Sequence, residues 1–157
     1  MSDTRLIPLQ QWICDSCGET ISSVQEGQLE WIQHKDRTSL QGFRIVHLSG
    51  CHYQEDELQK MEISEHTALQ DCVGSKGLVK LFGLLESKNY VDRTEIMDLI
   101  RRLHIHYYEE ARLYWPRAIQ EDIIANSSSW SNYDPDFLLE LIRYYNRPRD
   151  FRRKGAY

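Results

Sequence analysis

Two short stretches decide how this chain is read: Trp12-Ile13-Cys14-Asp15-Ser16-Cys17-Gly18, and Gly42-Phe43-Arg44-Ile45-Val46-His47-Leu48-Ser49-Gly50-Cys51-His52. In the first, two residues separate a pair of cysteines, so one tight turn brings both thiolates to a single ion. Gly18, just past the second thiol, allows the positive φ that such a knuckle needs. In the second, Phe43, Ile45 and His47 alternate onto one face of an expected strand, and Cys51 follows after a short turn. The combined spacing is C-x2-C-x29-H-x3-C. Three sulfurs and one imidazole suit tetrahedral Zn²⁺, so Cys14, Cys17, His47 and Cys51 are the candidate metal ligands, with His52 the rival for the fourth place.

Working outward, Leu29 and Trp31 share a face in the run that starts at Gly27, and residues 35–41 form a polar connection to the run from Gly42. The pattern predicts an antiparallel β-hairpin, with a further short strand entering the first cysteine pair through Gln11, Trp12 and Ile13. Beyond about residue 65 the apolar period lengthens. Leu78, Leu81, Phe82 and Leu85 mark a helix after Gly74 and Gly77. A second helix carries Ile96, Leu99, Ile100 and Leu103 behind an Asp92/Glu95 cap pair. A third stripe runs from Tyr108 to Ile123, with Pro116 forcing a kink or two abutting helices. Residues 126–129 read as a linker, and the last helix has Asp134 at its cap, Pro135 at its first position, and Phe137, Leu138, Leu141, Ile142 and Tyr145 on one side. The expected fold is α+β: a zinc-stabilised β module over 1–62, an α-helical bundle over 63–148, and a basic tail over 149–157.

Residues 12–52 resemble the zinc-ribbon and treble-clef zinc fingers, in which a knuckle, a hairpin and a second ligand pair close one site. The resemblance implies that Cys14 and Cys17 are the knuckle ligands and that His47 and Cys51 are the second pair. It covers this segment alone. A redox dithiol is the competing reading of the first pair, but no βαβ pattern follows it. Disulfide pairing would need an oxidising compartment. His47 and Cys51 could instead be plain core residues, and Cys72 reads as one. A closed four-ligand site does no chemistry. Without Cys51 the remaining three ligands would leave room for water, and Glu55, Asp56 or Glu57 would be available as a base for a zinc-dependent hydrolase or nuclease.

The 157 residues are 41% hydrophobic and 27% charged, a composition that excludes disorder, collagen and coiled-coil classes. No apolar run reaches the ~18 residues of a membrane span, and a soluble, cytoplasmic protein is expected. The net charge of −5 is unevenly spread, with residues 141–157 at +5 and residues 1–140 at −10. That tail, with Arg147, Arg149, Arg152 and Arg153 among aromatics, is a candidate single-strand nucleic-acid contact. The helix pair over 94–115 resembles a helix-turn-helix, although Glu109 and Glu110 would meet phosphates there. His104 and His106 with those glutamates read as turn and first-turn residues. The stretch Gly74-Ser75-Lys76-Gly77 lacks the spacing of a phosphate loop. No residue is assigned a catalytic role. The expected function is a non-enzymatic, zinc-binding interaction or regulatory protein with a protein partner, and the nucleic-acid regulator is the alternative.

Overall fold

Apolar alternation and helical periodicity both materialise, in a mixed α+β architecture. The computed structural model describes residues 3–36, 39–87, 90–124 and 130–148, and these fall into two compact units. The first comprises Gln10–His104, the second Met1–Leu9 with Ile105–Tyr157.

In the first unit, β1 (Trp12–Ile13) and β2 (Thr20–Ile21) pair antiparallel around the cysteine knuckle. The hairpin follows as β3 (Gly27–His34) and β4 (Ser39–His47), with Leu29 opposite Ile45 and Gly27 opposite His47. Strand β4 starts earlier than the sequence reading placed it, because the register shifts beyond Glu30 and Gly42 lies inside the strand at that irregularity. Three strands escaped the sequence reading: β2, and two that join the hairpin. In β5 (Glu62–Ala68) only Ile63 is a large apolar residue, yet the strand pairs along the whole of β3, from Gln28–Ala68 to His34–Glu62. The two-residue β6 (Tyr90–Val91) joins β4 in parallel, giving the order β5-β3-β4-β6.

Helices α1 (Gly74–Glu86) and α2 (Arg93–His104) complete this unit. The bundle expected over 63–148 is therefore divided, and the boundary expected at 62/63 lies instead at His104/Ile105. The physical reason is burial. Leu29 and Ile45 point to one face of the sheet and cannot leave water without a cover, which Leu81, Ile96, Leu99 and Leu103 supply in a single core with Trp12, Ile21 and Leu69. Asp92 caps α2 as the sequence implies, with its carboxylate accepting from the Thr94 and Glu95 N–H groups.

The second unit contains α3 (Tyr108–Ala111), a 3-10 turn over Arg112–Tyr114, α4 (Trp115–Gln120) and α5 (Pro135–Asn146). Pro116 sits in the first turn of α4, where its missing N–H costs nothing, and so the long stripe becomes abutting short helices. Tyr107, at φ 70°, makes the break before α3. Asp134 caps α5 through the Asp136 N–H at 2.9 Å. Leu138, Leu141, Ile142 and Tyr145 are buried with Tyr108 and Ala118. The linker at 126–129 and the tail at 149–157 lie outside the described residues.

Truncation of Ile45, which is fully buried in the core, to alanine should destabilise the first unit by about 2–5 kcal/mol, whereas Met97→Ala on the exposed side of α2 should cost under about 0.5 kcal/mol. Denaturant unfolding of the two variants side by side measures the contrast.

Candidate metal centre

A ligand atom from each of Cys14, Cys17, His47 and Cys51 lies within 4.8 Å of every other. Among the described residues this is the group of Cys, His, Asp or Glu side chains that converges closely enough to hold a metal ion. They arrive from two loops, one holding Cys14 and Cys17 and the other joining His47 to Cys51. Cys14 follows directly on the first short strand and is buried, and the Gly18 N–H closes the knuckle on the Cys14 carbonyl at 2.9 Å. Gly18 has φ 78°, as its position after the second thiol requires. The second loop uses the same device: Gly50, at φ 79°, turns the chain between His47 and Cys51. Cys17 is exposed and Cys51 half-buried, so the cluster opens at the surface.

The His47 ring is oriented by both nitrogens. Nε2 donates to the Thr20 carbonyl at 3.2 Å, and Nδ1 faces the Cys17 and Cys51 sulfurs at 3.4 and 3.8 Å. Donation of one ring N–H to a carbonyl fixes the tautomer and leaves the other nitrogen's lone pair aimed at the thiols, the arrangement that a metal-binding imidazole uses.

The electrostatics separate the thiols. Burial alone would raise the Cys14 pKa, but backbone N–H groups of Cys17, His47 and Ser16, together with the His47 side chain, outweigh it and bring the group down to about 6. Cys51 is pushed up to about 11, by burial first and then by the facing thiols of Cys14 and Cys17. Three sulfurs around one point cannot all ionise against their mutual repulsion, and a divalent cation among them removes that conflict. His52 is exposed and is not among the four converging residues. An ion that took all four donors in a tetrahedral sphere would have no position left for water.

Residues that the sequence reading passed over hold the site in place. Asp15, inside the knuckle, pairs with β4 through its backbone N–H to the Ile45 carbonyl at 2.8 Å, while its carboxylate accepts from the Ile45 N–H at 2.7 Å. The same carboxylate oxygen receives Arg102 Nη1 at 2.7 Å, and Arg102 Nη2 reaches the Ile13 carbonyl. Arg102 stands in the last turn of α2, where a cation would ordinarily face solvent beside the helix end. It is instead buried at 2% exposure and ties α2 to the knuckle. On the other side of the site, Arg44 pairs with the buried Glu30, donates to the Cys51 carbonyl at 3.2 Å, and lies over the Tyr53 ring at 3.6 Å. No spacing rule links positions so far apart in sequence. The only available signal was an arginine at a helix position flanked by apolar residues.

The remaining candidates lead elsewhere. Cys72 is buried in the core and its thiol is raised to about 11 by that burial. His104 donates to the Cys72 carbonyl at 3.1 Å, and burial lowers its pKa. Glu110, in the second unit, accepts the backbone N–H groups of Arg5 and Leu6 at 2.8–3.0 Å. The helix pair expected over 94–115 is split, since α2 belongs to one unit and the four-residue α3 to the other. Arg147 follows α5 as its C-cap, whereas Arg149, Arg152 and Arg153 lie outside the described residues. Among the described residues no helix is long and apolar enough to cross a membrane. No family model, no curated protein and no solved structure matches the chain.

Replacing Arg102 by leucine leaves the Asp15 carboxylate with one donor fewer in a mostly buried setting, and should destabilise the first unit by about 3 kcal/mol. Denaturant midpoints, together with faster reaction of Cys14 with an aromatic disulfide, read the loss.

Proposed function

We propose that Cys14, Cys17, the Nδ1 of His47 and Cys51 hold one structural Zn²⁺, in the manner of a zinc ribbon or treble clef, and that the protein is a non-enzymatic interaction or regulatory protein built around that module. The observation that carries the reading is the convergence of four donor atoms within 4.8 Å. The Thr20 carbonyl, which takes the other nitrogen of His47, supports it. Zinc is favoured over other divalent ions by the soft S₃N donor set and its tetrahedral count. Its task is mechanical. The knuckle and the Gly50 loop have few apolar contacts of their own, and a shared ion fixes both to the end of β4.

The protein as purified should contain about one zinc per chain by elemental analysis, and Cys14→Ser or His47→Ala should remove most of it. Chelation should lower the melting temperature by about 10 °C or more. A chain without zinc whose melting is indifferent to chelators would end the proposal.

Protons compete with the ion for the ligands. The folded-state pKa of Cys14 is held below its ordinary value of 9.0, at about 6, so its contribution is complete at high pH and disappears as pH falls through about 6. Zinc retention, followed with a chromophoric chelator, should be full at neutral pH and be lost on acidification, as protons displace the ion from its thiolates.

A further inference from the structure

Helix α1 is apolar almost all round, with Leu78, Val79, Leu81, Phe82, Leu84 and Leu85 in thirteen residues. One side is used by the chain itself: Gly77 and Leu81 are buried, and Leu84 and Leu85 pack against the core. Among the described residues the other side is covered far less, and Lys80 at its margin donates to Thr67 Oγ1 at 2.7 Å. Val79 is 72% and Phe82 47% exposed, and Ser75, Lys76, Lys80, Gly83 and Glu86 are exposed around them. Ser75, Val79, Phe82 and Glu86 follow one another at intervals of four, three and four residues, the spacing of a knobs-into-holes seam.

We infer that this seam is an antiparallel, two-fold contact with α1 of a second copy of the chain. The charge pattern selects that occupant and that direction. Lys76 lies in the first turn and Glu86 is the last residue, so an antiparallel copy brings each Lys76 beside Glu86 of the other molecule, twice, by symmetry. A parallel copy would oppose Lys76 to Lys76 and Glu86 to Glu86. The antiparallel register centred between residues 80 and 81 also sets Val79 against Phe82 of the second copy in two equivalent layers. Gly83 borders the seam, and a Cβ there would meet nothing within 4 Å in the chain's own fold. The missing side chain leaves a notch beside Val79 for the incoming Phe82 ring. The contact does not depend on the metal.

One helix per copy buries an area below about 1,200 Å², which places the dimer in the weak class with a dissociation constant in the micromolar range. Sedimentation velocity on the full chain from about 1 to about 500 µM tests it. The wild type should pass from monomer to dimer. Val79→Glu and Phe82→Glu should stay monomeric with unchanged melting, as both positions are exposed. Lys76→Glu and Glu86→Lys should each weaken association about tenfold, since each disturbs two ion pairs, and the double reversal should restore it. A wild type that stays monomeric throughout, a dimer that survives Val79→Glu, or a double reversal that fails to restore association would each overturn the inference.

Discussion

The carboxylate of Asp15 is the point on which the first unit depends. One of its oxygens takes both the Ile45 N–H of β4 and the Arg102 guanidinium of α2 at 2.7 Å, while the Asp15 backbone N–H meets the Ile45 carbonyl. Three elements that share no sequence proximity are thereby locked at one place. A guanidinium this deeply buried is tolerated only when its donors find partners, and the Asp15 carboxylate and the Ile13 carbonyl take Nη1 and Nη2. Trp12 closes the same corner, with its indole N–H on the Arg102 carbonyl.

That corner is one solution to a wider problem, the unpaired edge of β4. An open strand edge exposes backbone donors and acceptors, and this one is closed piecewise. At Ser39 and Leu40 the parallel strand β6 covers it. At the irregularity, the Glu95 carboxylate accepts the Gly42 and Phe43 N–H groups, and burial raises the Glu95 pKa against those donors. At Ile45 the knuckle takes over, and two residues later His47 enters the cysteine cluster. The candidate metal centre is thus the last of a series of devices along a single strand. The opposite face of the sheet adds the pairing of Glu30 with Arg44, which reaches the Cys51 carbonyl and so aims the fourth ligand.

The second unit is held differently, by aromatic stacking and by its own N-terminal segment. Tyr114 stacks on Tyr145 at 5.1 Å, and Trp115 on Tyr133 at 5.6 Å, around a small apolar core. Glu110 gathers the backbone of Arg5 and Leu6, while Arg143 pairs with Asp3 at 2.9 Å. The glutamate read as a helix first-turn anion therefore receives a strand of chain about a hundred residues away in sequence.

Local chemistry was legible in the sequence. Alternation gave the hairpin, caps gave α2 and α5, Pro116 gave the broken stripe, and the spacing of three cysteines and a histidine gave the four residues that converge. Each of these signals is complete within a few residues, because a turn, a cap or a knuckle is stabilised by its own neighbours. Tertiary structure decided the rest. β5 became a strand because β3 offered an edge, despite its weak apolar pattern. Helices α1 and α2 joined the sheet instead of a bundle, since the apolar face of the hairpin required a cover. Glu95 turned from its expected cap role to the Gly42 and Phe43 N–H groups, and Arg102 to the Asp15 carboxylate, because folding alone brought these partners near. Burial energies and long-range hydrogen bonds depend on which surfaces meet, and no local pattern encodes that.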